Sequence, residues 1–79
     1  MDNALTALHL PPAVKAQTLK LLAQIAQART ADDLFRASDR AEGFVLGLET
    51  VEALNAASIE GLYVAFEQTA TARRLEHEQ

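Results

Sequence analysis

The sequence predicts an all-α fold, a small antiparallel three-helix bundle. Three observations carry this. Apolar residues recur at helical spacing through three long segments, with no period-two run long enough for a strand. Cap-forming residues and a proline pair stand where those segments begin. The connections between them are short, and short connections force neighbouring helices antiparallel.

The first helix is expected over residues 12–28. Pro11 and Pro12 stop any helix from entering on the N-terminal side, and Pro12 suits the first helical position, where its missing N–H is not needed. Val14, Thr18, Leu21, Ile25 and Ala28 form the stripe, widened by Leu19, Leu22 and Ala26. A stripe that broad buries against two neighbours rather than one.

The second helix is expected over residues 31–54. Thr30 supplies an N-cap hydroxyl and Asp33 a carboxylate three residues on, a capping box with Asp in place of Glu. Asp32 and Asp33 also meet the positive end of the helix dipole. The stripe Leu34, Ala37, Ala41, Phe44, Leu48 and Val51 reads as a sustained heptad, with Asn55 as a left-handed C-terminal cap. Gly43 and Gly47 each cost up to about 1 kcal/mol inside a helix. They mark either a bend or a break near residue 50, where Thr50 could cap a new turn.

The third helix is expected over residues 58–76, capped by Ser58 with Glu60 in its first turn. Ile59, Leu62, Phe66, Ala70 and Arg73 face inward, with Tyr63 on the flank. Residues 1–10 read either as a short helical turn capped by Asp2 or Asn3 and carrying Leu5 and Leu8, or as an arm packing Leu8 and Leu10 over the bundle end. The short helix is the favoured of the two.

Composition narrows function. At 79 residues the chain is expected to be a single domain spanning residues 1–79. With no Cys, a disulfide scaffold and a thiolate metal site are excluded. Seven basic against eleven acidic residues give a net charge of −4, the wrong sign for binding nucleic acid by bulk charge. The first ten residues carry no Lys or Arg and no long apolar run, so no signal peptide is expected, and no stretch approaches the roughly 20 apolar residues of a membrane span. The expected compartment is the cytoplasm, and the Ala, Leu and Arg bias suggests a bacterial source. Sixteen alanines bury little area per residue, which favours a homodimer over a lone monomer.

Catalytic constellations are missing from the pattern. His9 and His77 stand alone at opposite ends, and Ser38 and Ser58 have no nearby His. There is no Gly-rich phosphate loop and no Glu-x-x-His pair. No catalytic, cofactor-binding or metal-ligating residue is assigned, and no cofactor, small-molecule substrate or membrane is expected.

The informative feature is the outer face of the second helix. At 100° per residue, Phe35 and Leu46 lie about 140° and 160° from the centre of the core stripe. Asp39, Glu42 and Glu49 share that side, making an apolar and acidic surface. It is either covered by another part of this chain or offered to a partner, a second copy or a different protein. Gly43 and Gly47 form a G-x-x-x-G step, expected to allow close helix packing inside the bundle or at a dimer seam. Val64 and Leu75 point away from the third helix's stripe, and Tyr63 sits at its edge. Arg36 is expected to pair with Asp32, Asp33 and Asp39 along the helix surface.

The expected function is therefore a non-enzymatic protein–protein interaction module, a small regulatory, adaptor or inhibitory protein. It would dock another protein, or itself, through Phe35, Asp39, Glu42, Leu46 and Glu49, with Tyr63 and Val64 if the third helix contributes. Two rivals differ in class. One is a nucleic-acid-associated modulator, a helical dimer using Arg36 and Arg40 twice over, although nucleic acid is not the expected partner. The other is a structural subunit of a larger assembly.

Overall fold

The computed structural model describes residues 8–78. Three helices fill it: α1 (Pro12–Ala26), α2 (Ala31–Thr50) and α3 (Ala56–His77). The short helical turn expected around Asp2, Asn3 and Leu5 lies outside the described residues.

Long-range contacts fix the topology. At one end the Ser58 hydroxyl donates to the Leu8 carbonyl at 3.3 Å, which joins the entry to α1 with the start of α3. At the other end Arg73 Nε donates to the Ala28 carbonyl at 2.8 Å, and His77 Nε2 lies 2.9 Å from the same oxygen. The starts of α1 and α3 therefore share one end and their finishes the other, with α2 running back between them. This is the up-down-up bundle. No helix among the described residues is long and apolar enough to cross a membrane.

α1 starts where the prolines place it, with Pro12 in its first turn and the Lys15 N–H bonded to the Pro11 carbonyl at 2.9 Å. It stops at Ala26 rather than residue 28. Ala28 keeps its methyl in the core, but its carbonyl accepts from Arg73 of α3 rather than from an amide four residues on. Leu21 and Ile25 are buried and Leu22 half-buried, but Leu19 and Ala26 are exposed and do not widen the stripe.

α2 begins at its expected cap, the Thr30 hydroxyl accepting from the Asp33 N–H at 3.0 Å. Its buried residues are Leu34, Ala37, Ala41 and Val45, with Phe44 and Leu48 half-buried. The strict heptad is thus a misreading. A straight 3.6-residue helix drifts about 20° per heptad, and α2 packs against two helices, so the stripe widens to straddle Phe44 and Val45.

The helix ends at Thr50, so the expected run to residue 54 is corrected to a break. Thr50 does not cap a new turn; its hydroxyl donates back to the Leu46 carbonyl at 2.8 Å. Beyond it Glu52 adopts φ 54°, the left-handed conformation assigned in sequence to Asn55. The Glu52 N–H reaches Glu49 and the Ala53 N–H reaches Leu48, at 3.1 and 2.9 Å, a paired Schellman closure. Val51 lies past the last helical residue and is exposed. A left-handed non-glycine residue costs roughly 1 kcal/mol. Glu52→Gly is therefore expected to raise the unfolding free energy by about that amount in urea titration.

Asn55 caps α3 instead, its Oδ1 accepting from the Ser58 N–H at 2.8 Å. The helix thus starts two residues before its expected position. Ser58 becomes a buried residue of the first turn, not the cap, and Glu60 falls in the second turn. Ile59, Leu62 and Phe66 are buried and Ala70 half-buried. Leu8 and Leu10 pack against the core.

Candidate functional site

The outward surface of α2 is built by elimination along the helix. Leu34, Ala37, Ala41 and Val45 take the inner side, so residues one or two further on, Phe35, Asp39, Glu42 and Leu46 among them, turn away from it. Phe35 is 72% exposed and Leu46 is 55% exposed. They stand eleven residues apart, about 16 Å along the axis. Asp39, Glu42 and Glu49 are exposed on the same side. Among the described residues no other element, α3 included, covers this stripe.

Gly43 and Gly47 border the stripe. A Cβ built on either meets nothing within 4 Å. The close packing expected of them inside the bundle is absent, because they point to solvent rather than toward α1 or α3. The close-approach glycine is Gly61, where a Cβ would lie 2.5 Å from Leu8 Cδ2. Sequence reasoning missed it, although a signal exists: Ser58, Gly61 and Ala65 put small side chains at spacings of three and four along one edge of α3.

The remaining site residues divide. The Tyr63 hydroxyl donates to Glu49 Oε1 at 3.3 Å, tying α3 to the acidic edge of the stripe. Partial desolvation, then the carboxylates of Glu49 and Glu42, hold this phenol above its usual range. At neutral pH it stays protonated and can donate. Glu49, Glu52, Ile59, Glu60 and Tyr63 line a groove of about 530 Å³ at this end, so the acidic character extends from α2 onto α3. Val64 is 45% exposed but lines a separate hollow with Leu8, Glu60 and Gly61. It does not join the Phe35–Leu46 stripe.

Phe35 also forms one lip of a groove of about 380 Å³ floored by Ala31, Leu34 and Ala70, with Arg74 and His77 on the opposite lip. The groove arises because the first turns of α2 meet the last turns of α3. Nothing local in either segment announces it.

The pairs expected between Arg36 and Asp32, Asp33 or Asp39 do not form. The only ion pair among the described residues is Arg73–Glu76 at 3.2 Å. No cluster of His, Cys, Asp or Glu able to hold a metal ion occurs among the described residues. Comparison of the chain with family models, curated proteins and solved structures returns no match.

Proposed function

We propose that the chain is a non-enzymatic protein-interaction module, a small regulatory, adaptor or inhibitory protein that docks a partner on the outer face of α2. The supporting observation is the pair Phe35 and Leu46, large apolar side chains left in solvent on one stripe with no covering element among the described residues. Isolated exposed apolar residues need no explanation, but two on one helix face, with the exposed carboxylates of Asp39 and Glu42 between them, make a mixed apolar and acidic surface that association would bury. The two apolar side chains would supply affinity. Asp39, Glu42 and Glu49 would steer encounter toward a basic partner surface.

The occupant is either a second copy or a different protein, and solution mass separates them. Light scattering across a concentration series, beside Leu46→Asp, is the experiment. Leu46 is more exposed than buried, so the variant should keep its helical signal. A wild-type dimer that becomes a folded monomer on substitution identifies this face as a self-interface, as the homodimer expectation has it. Folded monomers in both cases leave the face for a different protein. A Leu46→Asp chain that loses its helicity would refute the premise that this face is free.

A further inference from the structure

The second flank of α2 carries a feature of opposite sign. Gln24 from the last turn of α1, Gln27 and Arg29 from the connection that follows it, and Asp33, Arg36 and Arg40 from α2 line one open groove of about 440 Å³. Three of the chain's seven basic residues converge there. None of the three has a carboxylate within ion-pair distance among the described residues. The one side-chain bond in the groove is neutral on the acceptor side, from Arg40 Nη1 to Gln24 Oε1 at 3.0 Å. Lys20 stands one turn before Gln24 on α1 and extends the positive potential along the same side.

Guanidinium groups present planar forks of donors that match oxyanions bidentately. Among the residues that line the groove, three guanidinium groups less the one carboxylate of Asp33 leave an excess of two positive charges. A carboxylate brings one charge and two oxygens, whereas a phosphate monoester brings close to two charges and three acceptor oxygens. Local charge and donor number therefore both favour phosphate. The rest of the chain sets its size. The molecule carries four excess negative charges overall, and Glu42 and Glu49 occupy the opposite edge of the same helix. A long polyanion crossing the basic groove would meet that acidic surface, while a compact one would not. The Gln24 and Gln27 amides add donors and acceptors for whatever the phosphate is attached to.

We propose that the groove between the end of α1 and the N-terminal half of α2 is a binding site for a compact phosphorylated small molecule, held by Arg29, Arg36 and Arg40. It lies on the other flank of α2 from the Phe35–Leu46 stripe and does not depend on the docking function. Inorganic pyrophosphate is the probe, followed through the backbone amide signals of the isotope-labelled full chain. Saturable shifts confined to residues 24–40 are expected. The exposed pair Arg36→Gln with Arg40→Gln should weaken binding at least about tenfold while leaving the helical signal intact. Asp33→Asn should tighten it several-fold, because it removes the one carboxylate that lines the groove. Leu46→Asp should leave it unchanged, which keeps this site separable from the docking face. Three outcomes would overturn the proposal. The first is shifts that never saturate or that survive the double substitution. The second is citrate binding as well as pyrophosphate, which would reduce the groove to a diffuse positive field. The third is a single-stranded oligonucleotide binding far more tightly than pyrophosphate with a steep salt slope, which would make the ligand a nucleic acid.

Discussion

Thr18→Val is expected to stabilise the fold by about 1–3 kcal/mol. Thr18 is fully buried on the inner side of α1, and its hydroxyl oxygen has no hydrogen-bond partner among the described residues. An unpaired buried hydroxyl has given up its water and received nothing in exchange. Valine keeps the branched shape and replaces the hydroxyl by a methyl, so the penalty goes while the packing stays. In a domain of this size each kcal/mol moves the midpoint of thermal unfolding by roughly 4–8 °C. Thr18→Ser is the companion variant: it keeps the unpaired hydroxyl and removes the methyl, and should destabilise. Thermal and urea unfolding of the two variants check the account. A loss of stability in Thr18→Val would mean that the hydroxyl holds a bond that contributes to the native state.

The second large effect is expected from Gly43→Ala combined with Gly47→Ala. Each glycine sits inside α2 with open space where its Cβ would be. Each costs about 1 kcal/mol relative to alanine through backbone entropy, and neither recovers that cost through packing within the chain. The double variant should therefore gain about 2 kcal/mol, read from urea unfolding. The same two methyls raise the floor beside Leu46. If a partner helix approaches there, docking should weaken as stability rises, the trade-off found where a surface is kept for contact rather than for folding. A stability gain with docking untouched would place the partner's contacts on Phe35 and Leu46 alone.

Local features were legible in sequence and tertiary ones were not. The start of α1 at Pro12 and the start of α2 after Thr30 follow from a ring without an N–H and from a hydroxyl bonding an amide three residues on, both short-range events. The junction between α2 and α3 was misread because Asn55 and Ser58 are both cap formers three residues apart. Assigning Asn55 to the end of one helix and Ser58 to the start of the next left no role for Glu52, whose left-handed backbone no side-chain preference announces.

The outer face of α2 was readable for a physical reason. Angular position on a helix is fixed by residue number, so Phe35, Asp39, Glu42, Leu46 and Glu49 fall on one side wherever the helix packs. The glycines show the limit of that logic. Sequence places Gly43 and Gly47 on a common patch, but whether a neighbour fills it depends on where α1 and α3 lie, and they lie elsewhere. The arginine groove is hidden for the same reason: Gln24 and Arg40 are sixteen residues apart and meet only because α2 folds back along α1. The expected pairing of Arg36 along its own helix pointed away from that groove.

The most direct test of the docking account is site-specific photo-crosslinking in the cells that express the chain. A photoreactive side chain would be placed in turn at Phe35, at Leu46 and, as controls, at Gln17 on α1 and Glu67 on α3, all exposed positions. The account predicts a discrete protein adduct from positions 35 and 46 that is absent from 17 and 67 and is suppressed by Asp at the other stripe position. Adducts formed equally from all four positions, or from the control positions alone, would contradict it.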